Sequence, residues 1–582
     1  NVLTSTDARG KTTSYTYDAL NRPTKESFAD GTSIVWTYDQ GSYGVGRLSK
    51  IVDATGSTAY TYDEYGHVTR KQWVVGSVTL TTSYGYDAYG RLSTITYPSG
   101  KTATYAYDTD GRVSSVKLVS QSLVASVGYF PFGGASAWTD GGGASYGRSF
   151  DQDGRISGLA LPSSDTLALT YDAASRITAV TDSAIAAKSF GYDALDRLTS
   201  YAGGALTQSY SYDDDGNRTS ASLKNDATTN VFTYAYPSIS NRLQILSGAW
   251  SETLAYDADG NVVTHNTPSA DYSFTFDAKN RLSQASLGAI AETYAINGLG
   301  QRVEKADPST SSKTLFAYDE AGNLIGEYGS TGGVIEETVW LNGLPVATVQ
   351  PSGTYYIAPD HLGAPHQITN ASKSVVWLWD HDPFGNGAPT GSLTYNPRFP
   401  GQYYDATTGL NYNYFRDYDP KTGRYVESDP IGLAGGTNTY AYVNSNPASF
   451  SDPSGLDYAL PTGSTYPLGD GFTLSVSSRH NLVVKGPRGN IVARLSPGQS
   501  WNDPINPSRW VTAGQDGESI DVNGKVMQYK PYAQAQAAGS VCTRKLSVHA
   551  ELKTKLDSSL TRPGGAFAPV PPLEYGENDI GR

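Results

Sequence analysis

One cysteine, Cys542, stands among 582 residues, so no intrachain disulfide framework can form and a thiolate zinc site lacks its second sulfur. Methionine is equally scarce, and only 17% of the chain is charged. No apolar run approaches the ~18 residues of a membrane-spanning helix, which excludes a helical membrane protein over this stretch. The chain opens on Asn1 rather than Met, with no basic segment leading into an apolar one. The expectation is a fragment of a longer chain, with any export signal outside it.

What fills the composition is Tyr (43), Gly (62) and Pro (30). Tyrosine suits a half-buried pleated surface, and frequent Gly and Pro turns point to strands. The length exceeds one ordinary domain and can bury a substantial core. Charge is uneven. Residues 457–582 hold 13 Lys+Arg against 11 Asp+Glu, a net of +2, which leaves −15 of the total −13 on the first 456. An acidic body thus carries a mildly basic tail, which is short of a nucleic-acid-binding patch.

The body is periodic. TYDEYGHV, YGYDAYGRL, YAYDTDGRV, TYDAASRI, GYDALDRL and AYDADGNV place Asp63, Asp87, Asp108, Asp172, Asp193 and Asp257 at equivalent points. Counted with degenerate copies such as YFPFGG at Pro131, fifteen marks recur every 20 to 24 residues between Asp18 and Asp319. A fixed period of that size signals stacked supersecondary units. In Tyr-x-Tyr the two rings share a strand face. The Asp that follows, with Gly three positions on, forms a type I turn, and Arg or Asn begins the return strand. A second turn, such as FADG, DATG or YPSG, sits mid-unit. Each unit supplies about two strands and the array about thirty, too many for an open twisted sheet. The sheet is expected to coil on itself, with tyrosines of successive units laddered at about 4.8 Å. The YD aspartates are read as turn formers and none as catalytic.

Residues 429–456 spell one pentapeptide twice: DPIGL from Asp429 and DPSGL from Asp452. Asp, Pro and Gly at i, i+1 and i+3 make a type I turn, so either copy alone is a turn. Together with YYIAPDHLGAPHQITNASKSVVWLWDHDPFGN (355–386) and RFPGQYYDATTGLNYNYFRDYDPKTGRYVESDPIGL (398–433), the repeats resemble the Rhs/YD-repeat family. That family includes polymorphic bacterial toxins and the C component of insecticidal toxin complexes. The resemblance implies a mainly β fold, a hollow shell of spiralling strands, followed here by a small α+β C-terminal domain. It divides the chain into YD repeats (1–339), a repeat-associated core (340–456) and a variable effector (457–582). It further implies aspartyl self-cleavage after the second pentapeptide, between Leu456 and Asp457, which frees the effector as cargo of the shell. The catalytic pair carried over is Asp429 and Asp452. Two close carboxyls share one proton, so one can activate water while the other polarises the scissile carbonyl or assists the leaving amine. Pro430 and Pro453 fix the turns. Arg424 could orient a carboxylate, though a structural arginine is the plainer reading.

Asp360, His361, His366, Asp380, His381 and Asp382 have spacings a metal could use, but as turns of the core they need none. No metal and no cofactor is expected. In the tail, FTLSVS, NLVVKG, NIVARL and SIDVNGKVMQY read as strands, and Leu552, Leu556 and Leu560 mark a helix over 543–560 ended by Pro563-Gly564. His549-Ala550-Glu551 has the H-x-E form of zinc deaminases without the P-C-x-x-C downstream. His480 and Lys485 could serve a nuclease. His480, His549 and Glu551 are therefore the effector candidates, their chemistry open and nucleic acid a conceivable target. The function that follows is a secreted or surface-exposed bacterial toxin, its effector delivered to a target cell. An immunity protein and delivery machinery are its expected partners. The rival is a structural or adhesive YD-repeat surface protein with an inert tail.

Overall fold

The computed structural model describes residues 1–130 and 134–456, and beyond them eight short strands between Thr465 and Gln528. Thirty-seven strands, from Thr4–Thr6 to Thr390–Gly391, form one sheet by antiparallel pairing of strands adjacent in sequence. The sheet runs without a break across residue 340, where Val334–Leu341 pairs with Leu344–Gln350.

One repeat shows how sequence makes the unit. In Val78–Tyr86, Tyr84 is buried and Tyr86 half-buried on one face. The Asp87 carboxylate accepts the N–H groups of Tyr89 and Arg91 at 2.9 and 3.0 Å, and Gly90 donates to the Asp87 carbonyl at 2.9 Å. Gly90 is left-handed (φ 73°), giving a three-residue hairpin loop with a bulge between Gly85 and Tyr86. Where glycine is missing, Asn21, Ser175, Asp196 and Asn280 take the same conformation.

The turn also joins units. Arg91 donates to Asp87 at 2.7 Å, and its guanidinium lies 4.1 Å from the ring centre of Tyr107 in the next unit. The Tyr107 hydroxyl then donates to the Leu92 carbonyl at 2.6 Å. The same clamp recurs with Arg155, Tyr171 and Ile156, with Arg176, Tyr192 and Ile177, and with Arg197, Tyr212 and Leu198. The expected tyrosine ladder does not form. The return strand Leu92–Thr96 lies between the strands of Tyr84 and Tyr105, so successive rings stand two strands apart and aliphatic side chains such as Ile95 fill the interval.

The sheet coils back on itself, bringing early and late strands together. Glu337 accepts the Ser99 N–H and hydroxyl at 3.0 and 2.6 Å, Tyr146 donates to the Pro359 carbonyl at 3.0 Å, and Lys279 pairs with Glu26 at 2.9 Å. Residues 392–456 add a small four-stranded sheet (Tyr403–Tyr404, Asn411–Asn413, Arg416–Asp419, Arg424–Tyr425) on an aromatic core that includes Trp377, Trp379, Phe399, Tyr418 and Tyr442. Buried charge ties it to the repeats. Arg302 pairs with Asp417 at 2.7 Å, sandwiched between the rings of Tyr294 and Tyr412 at 4.1 and 4.2 Å. In the tail, Thr465–Gly469, Phe472–Val476, Leu482–Lys485 and Ile491–Leu495 make one antiparallel sheet. Ser500–Asn502, Trp510–Ala513, Ser519–Val522 and Lys525–Gln528 make another. Phe472–Val476, Leu482–Lys485, Ile491–Leu495, Ser519–Val522 and Lys525–Gln528 fall on the runs expected from sequence, whereas Thr465–Gly469, Ser500–Asn502 and Trp510–Ala513 lie outside them. The helix expected over 543–560 lies outside the described residues.

If the clamp links units, removing one hydroxyl should weaken the array. Tyr192→Phe keeps the ring under Arg176 but leaves the Ile177 carbonyl without its donor. The expected loss is about 1 kcal/mol, read as a lower denaturation midpoint against the unaltered chain.

Candidate active site at the paired DPxGL turns

Both pentapeptides fold as turns and converge on one buried cation. Asp429 accepts the Ile431 N–H through Oδ1 at 2.9 Å, and Gly432 donates to its carbonyl at 2.9 Å. Asp452 Oδ1 accepts the N–H groups of Ser454, Gly455 and Leu456 at 3.3, 2.8 and 3.2 Å. The Oδ1 atoms are thus spent on turn geometry, and the Oδ2 atoms meet Arg416. Its Nη2 is 3.0 Å from Asp429 Oδ2 and 3.5 Å from Asp452 Oδ2. All three side chains are at most 3% exposed.

The small sheet holds that arginine. Its guanidinium lies 3.6 Å from the ring centre of Tyr425. Nη1 donates to the Thr439 carbonyl at 3.1 Å and Nε to the Gly455 carbonyl. The Tyr425 hydroxyl donates to Asp452 Oδ2 at 2.7 Å and accepts from Asn413 Nδ2 at 2.7 Å, while Asn413 also donates to the Asp452 carbonyl at 2.9 Å. Burial raises the Asp452 carboxyl above its ordinary 3.8, against Arg416, Tyr425 and the turn N–H groups. Burial opposes the charge on Arg416, yet Asp429, Tyr425 and Asp452 together hold its pKa above the usual value. Tyr425 is raised well above 10.0 by burial and then by Asp452. Two buried carboxyls and a fixed cation, brought together by two turns, can carry out acid–base chemistry on the peptide beside them.

Leu456 is buried at this site, 6% exposed. Asp457, His480, His549 and Glu551 lie outside the described residues. Arg424 is not part of the pair. It donates to Asn217 at 3.4 Å and to the Asn241 carbonyl and lies beside the Tyr236 and Tyr440 rings, so its role is structural. Sequence reasoning missed Arg416; the signal was one arginine amid the tyrosines of NYNYFRDYD.

The histidine-bearing segments gather elsewhere. Asp360, His361, His366, His381 and Asp382 line one cavity with Asp182 and Lys188. His366 pairs with Asp182 at 2.8 Å and Lys188 with Asp380 at 2.9 Å. His381 donates from Nδ1 to the Asp382 carbonyl at 2.6 Å and stacks 4.0 Å from Trp379.

Comparison with known proteins agrees with this fold. The Teneurin YD-shell family model matches residues 44–127 and 162–334, and the RHS Repeat model matches 1–33. Among curated proteins, Double-stranded DNA deaminase toxin A of Burkholderia cenocepacia is 32% identical over 227 residues, covering 32% of this chain and 16% of that protein. Toxin protein Tse5 of Pseudomonas aeruginosa is 41% identical over 117 residues, 19% of this chain and 9% of that one. The probable deoxyribonuclease RhsA of Dickeya dadantii is 31% identical over 203 residues, 32% of this chain and 14% of that one. The chain therefore spans less than a fifth of each of these three relatives. Among solved structures, the Photorhabdus luminescens Tc holotoxin pore superposes with a TM-score of 0.63 at 20% identity, over 79% of this chain and 28% of that one. TcdB2-TccC3 without its hypervariable C-terminal region gives 0.62 at 20%, over 78% and 28%. What these matches define is a repeat-built antiparallel β-sheet protein with the fold of those Tc toxin structures. The chain belongs to the RHS/YD-repeat shell family, related to Rhs toxins and sharing the fold of Tc toxin components.

Two consequences are measurable. Arg416→Met leaves two buried carboxylates without their cation, and a loss of about 3–5 kcal/mol is expected. Carboxyls stripped of a cation go neutral more readily, so the deficit should shrink as pH falls toward the carboxylate range. The second concerns His381, held well below 6.5 by burial and then by Lys188, with His366 and His361 adding to the effect. The unfolded chain then binds a proton that the folded chain refuses. Stability should therefore fall as pH drops below about 6.5, by at most about 1.4 kcal/mol per pH unit. His381→Gln should flatten that loss in denaturation curves taken between about pH 7 and pH 5.

Proposed function

We propose that this chain is the shell and self-cleaving core of an Rhs-type toxin, with residues 457–582 as its effector. What carries the reading is Arg416, whose one nitrogen reaches the carboxylates of both pentapeptides. A plain turn has no need of a second copy, nor of a buried cation between the two. The pair shares one proton, with Asp452, raised by burial, in the role of acid and Asp429 beside Arg416 in that of base. Water loses a proton to Asp429 as its oxygen bonds the Leu456 carbonyl carbon. The bond to Asp457 nitrogen breaks as that nitrogen takes the Asp452 proton. The products are a Leu456 carboxyl terminus and a free Asp457 amine. The coiled sheet would then retain the cut segment as cargo until delivery, in keeping with the toxin names of its relatives. Such a toxin is exported or displayed by its bacterium, needs an immunity protein at home and depends on delivery machinery.

The purified chain should cut itself without added protease into a shell and a fragment that begins DYALPTG. The two should co-elute under native conditions and separate in denaturant. Asp429→Asn or Asp452→Asn should each leave one band near 62.1 kDa. Cutting at Leu456 by either variant at the normal rate would overturn the shared-proton mechanism.

Residues 457–582 made alone in bacterial cytoplasm should slow growth, and the uncut Asp429→Asn full chain should do so far less. Alanine at His480, His549 or Glu551, taken one at a time, should show which relieves it. A folded tail that leaves growth untouched would favour the structural rival.

A further inference from the structure

Five residues after the turn mark, the return strand carries an aliphatic side chain in unit after unit: Leu92, Ile177, Leu198, Val262, Leu282 and Leu324. After Asn297 the same position holds Arg302, and it is 1% exposed. A buried guanidinium costs desolvation, and its own turn does not use it, since Asn297 is bonded by Gln301 at 3.0 and 3.2 Å. Of its side-chain nitrogens only Nη2 has a hydrogen-bond partner, which is Asp417 at 2.7 Å, and Nη1 stands 3.9 Å from Asp405.

Asp417 follows Arg416, the cation of the paired turns, on the strand Arg416–Asp419. Consecutive side chains of a strand point to opposite faces. One face carries Arg416 toward Asp429 and Asp452, and Asn413, opposite it on the neighbouring strand, donates to the Asp452 carbonyl. The other face carries Asp417 toward Arg302. Tyr412, opposite Asp417, lays its ring against that guanidinium and accepts the Arg302 N–H at 2.9 Å. A slip of one residue would exchange the faces. It would set Arg416 against Arg302, and Asp417 against Asp429 and Asp452, like charge on like on both sides. The charge of Arg302 is what penalises that slip on the shell side.

We propose that Arg302 is a positioning residue for self-cleavage: by holding Asp417 on the shell face of its strand it keeps Arg416 on the other, between the two carboxylates. This rests on the self-cleavage reading and adds what regulates it. Arg302 belongs to the repeat strand Arg302–Asp307, so the catalytic cation is set in register only when that part of the shell has docked on the small sheet. Cutting then follows closure of the shell instead of preceding it. Arg302 touches neither Asp429 nor Asp452 and acts through Asp417 and the strand alone.

The test follows the full chain during cell-free synthesis, timing the appearance of the fragment that begins DYALPTG, and measures the denaturation midpoint of each product. Arg302→Met is expected to lower the midpoint and to slow cutting by about 100-fold, the scale of a catalytic group misplaced by an ångström. Arg218 serves as control, being a buried arginine at the same repeat position that lies on the Tyr210 and Phe384 rings. Arg218→Met is expected to lower the midpoint and still cut within about threefold of the normal rate, because it leaves Asp417 and Arg416 in place. The double variant Arg302→Met with Asp417→Leu replaces the buried pair by apolar side chains, which restores stability but leaves nothing on the shell side to penalise the slip. Its midpoint should return toward normal while its cutting stays slow. Recovery of cutting together with stability in the double variant would overturn the proposal, making the pair structural only. Normal cutting by Arg302→Met, or equal slowing by Arg218→Met, would overturn it too. Normal cutting by Asp429→Asn would instead remove the self-cleavage reading beneath it. Should Arg302→Met fail to fold, the double variant, which buries no lone charge, decides alone.

Discussion

The structure depends on one contact among three residue types: an aspartate that clamps an arginine, whose guanidinium lies on a tyrosine. In the repeats the aspartate shapes its own turn, the arginine reaches to the next unit's ring, and that ring's hydroxyl bonds back beside the arginine. Each link contributes about a kcal/mol by the usual scale of cation–π contacts and hydrogen bonds. Repeated along the array, such links set the register of unit on unit and leave the sheet little freedom except to coil.

The candidate site uses the same trio in the dark. Arg416 lies on Tyr425 as Arg91 lies on Tyr107, but here the tyrosine hydroxyl meets a carboxylate and the arginine serves two. The difference is burial. Repeat aspartates such as Asp87, bonded to its own Arg91, are held below the ordinary carboxylate range, while Asp452 is pushed above it by desolvation. A surface clamp is a structural device; in the buried version desolvation raises the proton affinity of Asp452. The shell and the small sheet within residues 392–456 keep solvent from that trio, so the fold itself supplies the perturbation.

The parts legible in the sequence were those written in local spacing. The repeat period, the Asp-x-x-Gly turns and the twin DPxGL pentapeptides each follow from residue chemistry at fixed offsets, and the described strands fall where those offsets put them. What escaped were partners far apart in the chain. Arg416 lies 13 residues before one aspartate and 36 before the other, with no pattern to tie them. Arg424 sits nearer in sequence to Asp429, yet its strand carries it to Asn217 and Asn241. The tyrosine ladder failed because a two-strand unit always interposes its return strand.

The central claim is that the folded core adds water across the Leu456–Asp457 peptide within its own chain. Cutting in water enriched in oxygen-18, followed by mass analysis of both fragments, tests it most directly. The account predicts one heavy oxygen in the new Leu456 carboxyl, none in the fragment beginning at Asp457, and a first-order rate independent of protein concentration. Label in the Asp429 or Asp452 side chain, or a rate that rises with concentration, would contradict it.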